Sequence, residues 1–124
     1  MASNTATLNV PVLRTVTATN VAIGRGIRVT LASTGLVAAS AVGVQGDYIT
    51  TQAIAASSQG TAIPIASGGS VPVQASETTA VGDAAYSAAA GQASKTSTNA
   101  VLIGKWLQIG AANALAVVEL STTA

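Results

Sequence analysis

Few side chains in this sequence can do acid–base chemistry, and the closest pair of carboxylates is Glu77 and Asp83. Two carboxylates can divide the roles of general acid and general base when their surroundings separate their pKa values. The residues between them, 78–82, are typical of a surface turn, where an Asp side chain accepts hydrogen bonds from the local backbone. We therefore favour a turn over a catalytic pair. Asp47, in a Gln-Gly-Asp segment, has the same interpretation.

Other patterns for a catalytic or cofactor site are weak or missing. The chain contains no His and no Cys, which excludes a Ser-His-Asp arrangement and the usual ligands of zinc. Gly24-Arg25-Gly26 precedes a predicted strand, whereas a phosphate-binding loop follows a strand and opens a helix. No Ser stands three positions before either Lys, as a Ser-x-x-Lys nucleophile would require. We expect a protein with no enzymatic activity and no cofactor.

The composition is unusual for a protein with a free-standing surface. Only 7% of the 124 residues are charged, against roughly 25% in ordinary soluble domains. Five basic and four acidic residues do not form the basic surface that a nucleic-acid partner requires. A hydrophobic content of 49% argues against disorder. We expect one domain, residues 1–124, that buries much of its surface against other proteins.

Long uncharged stretches raise the possibility of a membrane segment. Ser, Thr, Gly and Pro interrupt each of these stretches, so neither resembles the roughly 20 apolar residues of a spanning helix. The first residues carry no basic region followed by an apolar one, as a secretory signal would. We expect a protein made in the cytoplasm, with no membrane partner.

Alternating apolar residues predict short strands through most of the chain. The predicted strands cover residues 27–31, 36–42, 63–65, 71–75, 84–87, 101–109 and 116–120. Pro64 and Pro72 place two of them at a sheet edge, where no backbone donor is needed. Short strands separated by frequent turns predict a mostly β fold, a small single-domain antiparallel sandwich or barrel. Residues 1–15 are predicted to be an extended N-terminal arm or an edge strand, with a frayed terminus as the alternative.

A faint internal repeat is visible in the pattern of turns. Residues 22–25, followed by Gly35, resemble residues 80–83, followed by Gly91. The spacing between matching positions drifts from 58 to 54 residues along the chain. Two similar β units would produce this likeness, and so would recurrent turn chemistry alone.

Seven residues are candidate contacts to a partner. The arm offers an alternating apolar set that ends at a cation, and three Arg residues could pair with a partner's carboxylates or serve only to keep the surface soluble. The single Trp could anchor an interface or fill the core of a chain that has no Phe. The candidates are Leu8, Val10, Val12, Arg14, Arg25, Arg28 and Trp106.

The second half of the chain resembles a family of small tailed-phage capsid decoration, or cement, proteins. The likeness rests on the order of several motifs: Val81-Gly82-Asp83-Ala84-Ala85-Tyr86, Gly91, Leu102-Ile103-Gly104, Ala111-Ala112 and the Val-rich segment 117–120. The first half matches more loosely, through residues 23–27 and 35–37, so the resemblance covers roughly residues 20–120. Lys105-Trp106 departs from the small apolar residues that are common there in the family.

This resemblance implies a structural virion protein on the outer surface of a capsid. Such a protein would bind the major capsid protein, form a homotrimer at three-fold and quasi-three-fold positions, and stabilise the expanded head. Two alternatives stay open. The chain could be a β-rich subunit of a fibre or surface layer, or a carbohydrate-binding module, for which few aromatic residues are available.

Overall fold

Short strands joined by tight turns make up most of residues 13–121, the part of the chain that the computed structural model describes. The first five strands form a closed barrel in the order β1-β3-β2-β4-β5. Their bounds are Arg14–Ala18 for β1, Arg28–Leu31 for β2, Leu36–Ala39 for β3, Tyr48–Thr50 for β4 and Gln59–Pro64 for β5. The mostly β prediction is confirmed.

The last five strands form a second sheet in the order β6-β10-β9-β7-β8. Their bounds are Gly69–Gln74 for β6, Ala84–Ser87 for β7, Ala93–Ser94 for β8, Leu102–Trp106 for β9 and Leu115–Leu120 for β10. Two 3-10 turns, Ile65–Ser67 and Ala89–Gly91, connect strands. Within residues 13–121, no helix is long and apolar enough to cross a membrane.

The two sheets are copies of one arrangement, which confirms the internal repeat. Written from β3, the barrel order is β3-β2-β4-β5-β1, and the second sheet has the matching order β8-β7-β9-β10-β6. The cross-strand pair Thr50–Ala62 in the barrel corresponds to Trp106–Val118 in the sheet, 56 positions later. We call residues 14–65 repeat 1 and residues 69–121 repeat 2.

The same spacing of 56 positions holds in the turns. The backbone N–H of Gly26 donates to the carbonyl of Thr50 at 2.9 Å, and that of Gly82 donates to the carbonyl of Trp106 at 2.8 Å. Strand β1 is the exception, because Thr17 and Gln74 correspond at a spacing of 57. The sequence comparison expected a spacing that drifts from 58 to 54, so it was wrong by two positions in several segments. An error of two positions keeps each residue on the same side of its strand, so the inward and outward alternation was still matched.

Each repeat has its own apolar interior, and that of repeat 2 also takes in side chains from repeat 1. One cluster lies inside the barrel and includes Val29 and Val37. The other fills repeat 2 around Trp106 and Val118, and it also takes in Ile49 from repeat 1. The outer surface of the barrel therefore forms part of the interior of repeat 2.

Three sequence predictions about individual strands need correction. Strand β9 ends at Trp106 rather than at Ile109, so Ile109 is exposed. Residues 14 and 15 belong to β1, which pairs with β5 and with β3 and is not an edge strand. The β1–β3 pairing is parallel, because closing the barrel brings these two strands together in the same direction. The expected antiparallel pairing holds for the other strand ladders of both sheets, and this one pair departs from it.

The prediction about the two prolines is confirmed for one of them. Pro72 lies in β6, which is the first strand of the open sheet. Pro64 is the last residue of β5 and pairs with Tyr48 inside the barrel, rather than at a free edge. A strand end tolerates Pro for the same reason as an edge, since the missing N–H is needed by no neighbour.

Candidate interaction surfaces

Trp106 lies in the core of repeat 2. Its side chain is fully buried, and its indole N–H donates a hydrogen bond to the carbonyl of Ser94 at 3.2 Å. A buried Trp usually finds such a partner for its one polar atom. Of the two interpretations open from the sequence, the core residue is therefore the one that the structure supports.

Arg28 is fully buried as well, which corrects its assignment as a surface contact. The guanidinium donates to carbonyl oxygens of both repeats, including Gln45 at 3.0 Å in repeat 1 and Gln92 at 2.9 Å in repeat 2. It also donates to the carbonyls of Val44, Ala41 and Ala88. Burial lowers the pKa of Arg28 to about 10, so the side chain stays protonated at neutral pH. Arg28 joins the two repeats.

The remaining candidate contacts are exposed or lie outside the described residues. Arg14 is exposed at the start of β1, and Arg25 is exposed in the turn before β2. Both can therefore reach a partner, although the structure does not bring them into one cluster with Trp106. Leu8, Val10 and Val12 lie outside residues 13–121.

The three acidic residues considered as possible chemistry act in turns. Asp83 accepts a hydrogen bond from the backbone N–H of Ala80 at 2.9 Å, and Asp47 accepts one from the N–H of Leu31 at 2.8 Å. Glu77 accepts a hydrogen bond from the hydroxyl of Thr96 at 2.7 Å. The interpretation of Asp83 as a turn residue with a local backbone partner is confirmed, whereas the partner of Asp47 lies in β2, outside its own turn. Among the described residues, no three acidic side chains gather closely enough to hold a metal ion.

One surface of repeat 1 is covered by repeat 2, and we call it the covered face. Gly26 shows how close this contact is, because a Cβ on it would come within 2.4 Å of the Leu115 side chain. The backbone carbonyl of Gly26 also accepts a hydrogen bond from the N–H of Gln74 at 2.8 Å. The covered face consists of Gly26, Arg28, Ile49, Ile63 and Ile65.

The equivalent surface of repeat 2 is open to solvent, and we call it the open face. Adding 56 to each residue number of the covered face gives Gly82, Ala84, Lys105, Glu119 and Ser121, all of which are exposed. These five residues, with Leu102 and Gly104, line a shallow cavity of about 400 Å³. The open face has smaller side chains and is more polar than the covered face. Ala84 stands in place of a buried Arg, and a Lys–Glu pair stands in place of two Ile.

A second exposed region lies at one end of repeat 2, and we call it the apolar end. Val81 is 64% exposed, Ile109 is 72% exposed and Leu107 lies on the same segment. The backbone N–H of Thr79 donates to the carbonyl of Gly110 at 3.2 Å, and the N–H of Gly110 donates to the hydroxyl of Thr79 at 2.8 Å. These two bonds hold the segment before Val81 against the segment after Ile109. Sequence reasoning missed this region because it extended β9 to Ile109. The Gly110 that follows and the four Ala and Asn residues after it indicate that the strand stops earlier.

Comparison with known proteins supports the fold over nearly the whole chain. The structure is similar to the crystal structure of the head fiber gp8.5 N base of bacteriophage phi29, with a TM-score of 0.73. The match covers 90% of this chain and 96% of that chain at 15% sequence identity. No protein-family model matches the sequence, and neither does any curated protein. At this identity the likeness concerns the fold.

Proposed function

We propose that this chain is a structural protein of a tailed-phage head, which binds the outer surface of the capsid shell as a decoration protein and stabilises the expanded head. The observation that carries the proposal is the fold likeness to a phage head-fibre base over 90% of the chain. The decoration-family motifs in repeat 2 point to the same place by a separate route. The proposal includes no catalytic activity and no cofactor.

The surface chemistry of the chain supports burial against other proteins. Only nine of its residues are charged, so an interface on it can form without removing many charges from water, which interface cores avoid. The apolar end offers Val81, Leu107 and Ile109 as exposed side chains. Exposed apolar patches on otherwise polar surfaces are typical of protein–protein contacts. We assign the apolar end to the contact with the major capsid protein.

Self-association into a homotrimer is the second part of the proposal. Three-fold and quasi-three-fold positions of a shell present three equivalent neighbours, so a trimer would contact all of them with the same surface. The expected outcome is about one copy of the chain per major capsid protein in purified particles.

A quantitative protein gel of purified virions tests the location and the copy number together. Near-equal amounts of this chain and the major capsid protein would support a decoration protein. A few copies per particle would instead favour the base of a head fibre, a second candidate that the likeness to the head fibre gp8.5 N base specifically favours. Absence from the particles would overturn both.

A matched pair of variants tests the assigned contact surface. Val81 and Val21 are equally exposed, at 64% each, but Val81 belongs to the apolar end and Val21 belongs to repeat 1. We expect Val81→Asp to weaken binding to purified expanded shells tenfold or more, while Val21→Asp binds as the unmodified chain does. Equal binding by the two variants would exclude the apolar end as the contact.

The N-terminal arm hypothesis needs a separate experiment. Residues 1–12 precede β1, and their alternating apolar set could add a contact to the shell. Deletion of residues 1–12 is expected to weaken shell binding while leaving the thermal unfolding of the remaining chain unchanged. Unchanged shell binding after the deletion would remove the arm from the proposal.

A further inference from the structure

The chain carries exposed counterparts of two parts of its own internal interface. In the middle of the molecule, the covered face of repeat 1 contacts repeat 2. Because repeat 2 has the same topology, it possesses an equivalent surface, the open face, with no second repeat over it. The cavity of about 400 Å³ lies on this surface. Gly82 illustrates the difference: a Cβ on it would meet no atom within 4 Å, whereas one on Gly26 would strike Leu115.

On the other side of the interface, one part of repeat 2 that contacts repeat 1 is the turn between β7 and β8, residues 88–92. The backbone N–H of Gly91 donates to the carbonyl of Ser40 at 2.8 Å, and a Cβ on Gly91 would come within 2.6 Å of the Arg28 carbonyl oxygen. The equivalent turn of repeat 1 is residues 32–36, which we call the free turn. Its Gly35 is exposed, with no atom within 4 Å of an added Cβ.

Side-chain sizes on the two free surfaces complement each other. In the internal interface, the large Arg28 of one repeat lies beside a segment that begins with the small Ser87, whose hydroxyl donates to the carbonyl of Val42. The position equivalent to Arg28 is Ala84 on the open face, and the position equivalent to Ser87 is Leu31 next to the free turn. The large side chain is therefore on the free turn side, and the small one is on the open face. Leu31 is 45% exposed although it is a large apolar residue. It has the volume to fill the space that Ala84 leaves.

An exposed charged residue lies beside each of the two surfaces. Asp47 accepts a hydrogen bond from the backbone N–H of Leu31 at 2.8 Å and is exposed. Lys105 is paired with Ala84 in the β7–β9 ladder and is also exposed. Lys105 faces Glu119 across β9 and β10, so the open face carries both signs of charge and the fit between the surfaces depends on side-chain size.

We propose that the open face of one copy binds the free turn of a second copy, so that copies associate head to tail. Such a contact uses two different surfaces, and a head-to-tail contact closes into a ring where its rotation permits. It therefore supplies the interface of the proposed homotrimer; it rests on that part of the proposed function and is independent of shell binding. In repeat 1, β1 pairs with β3 and closes the barrel, so the backbone groups of these strands are already used. The contact between copies is therefore made through side chains and is weaker than the internal one.

Cross-linking between two single-cysteine variants tests the pairing directly. The natural chain has no Cys, so each variant carries one reactive thiol. Ala84→Cys lies on the open face and Ala32→Cys on the free turn, and both positions are exposed. With a short bis-maleimide reagent, an equal mixture is expected to give at least fivefold more cross-linked dimer than either variant alone. Ala112→Cys, in an exposed turn outside both surfaces, replaces Ala32→Cys in the control mixture.

Three results would overturn the head-to-tail contact. The first is equally efficient cross-linking of Ala84→Cys with itself, which would indicate that identical surfaces meet. The second is a chain that sediments as a monomer at the concentration used for cross-linking. If the unmodified chain associates, Leu31→Asp is expected to raise its dissociation constant tenfold or more, whereas Val21→Asp is expected to leave it unchanged. An unchanged dissociation constant for Leu31→Asp is the third result that would overturn the contact. All of these measurements use purified protein, so a failure of shell binding would not affect them.

Discussion

The two repeats share one strand order and differ in how they close. In repeat 1, β1 and β3 form a parallel ladder in which Thr17 pairs with Leu36. In repeat 2, the equivalent strands meet only at a single bridge between Ala75 and Ala93. One backbone hydrogen bond remains there, from the N–H of Ser76 to the carbonyl of Ala93 at 2.9 Å, and the side chain of Gln92 donates to the side-chain oxygen of Gln74. The same strand order can therefore be closed by a strand ladder or by a single bridge with a side-chain hydrogen bond beside it.

Two features of the sequence account for this difference. Trp106 occupies the interior position that Thr50 has in repeat 1, and a close-packed interior with a larger side chain needs a wider enclosure. The backbone N–H of Gln74, where the sheet of repeat 2 stays open, also finds its acceptor outside the repeat, because it donates to the carbonyl of Gly26 in repeat 1. The open repeat is thus completed by the closed one, which makes the two interdependent.

The largest expected effect is the loss of Trp106. Trp106→Ala is expected to lower the free energy of unfolding by about 3–5 kcal/mol, because it leaves a large cavity in repeat 2 and the Ser94 carbonyl without its donor. Urea denaturation followed by circular dichroism measures this. Leu107→Ala, at the exposed next position, is the control and should cost less than about 1 kcal/mol. Equal losses for the two variants would mean that the indole packing contributes little.

The next largest effect concerns the residue that joins the repeats. Arg28→Met keeps much of the side-chain volume but leaves carbonyl oxygens in both repeats without a donor, so we expect a loss of about 2–4 kcal/mol in the free energy of unfolding. Ala84→Met changes the equivalent exposed position and should alter stability by about 0.5 kcal/mol or less. A stable Arg28→Met protein would show that apolar contacts alone hold the repeats together.

Some parts of this architecture were predictable from the sequence and others were not. The alternation in segments 84–87 and 116–120 predicts β7 and most of β10, because one face of each strand is buried and the other is not. Turn residues such as Gly35 and Gly91 predict the repeat. The burial of Arg28 was not predictable, since a cation in a strand indicates an outward face unless a second layer covers it. That layer is repeat 2, whose position depends on tertiary packing and leaves no local pattern.

A pair of glycines isolates the contribution of close packing between the repeats. Gly91 and Gly35 are equivalent, and both have a positive φ, of 74° and 85°. Ala at either position therefore costs about 1–2 kcal/mol in backbone strain. Only Gly91→Ala adds a clash with repeat 1, where its Cβ would lie 2.4 Å from the Ile27 side chain. We expect Gly91→Ala to be less stable than Gly35→Ala by about 1–3 kcal/mol in thermal or urea unfolding.

The smallest effect is expected at the open face itself. Lys105 and Glu119 face each other across β9 and β10, where the equivalent pair in repeat 1 is Ile49 and Ile63. An exposed pair of opposite charges contributes roughly 0.2–1 kcal/mol, so the double variant Lys105→Ile with Glu119→Ile should change the free energy of unfolding by less than about 1 kcal/mol. Urea unfolding of the double variant and both single variants gives the coupling between the two positions. A loss above about 2 kcal/mol would mean that the charged pair is needed for folding.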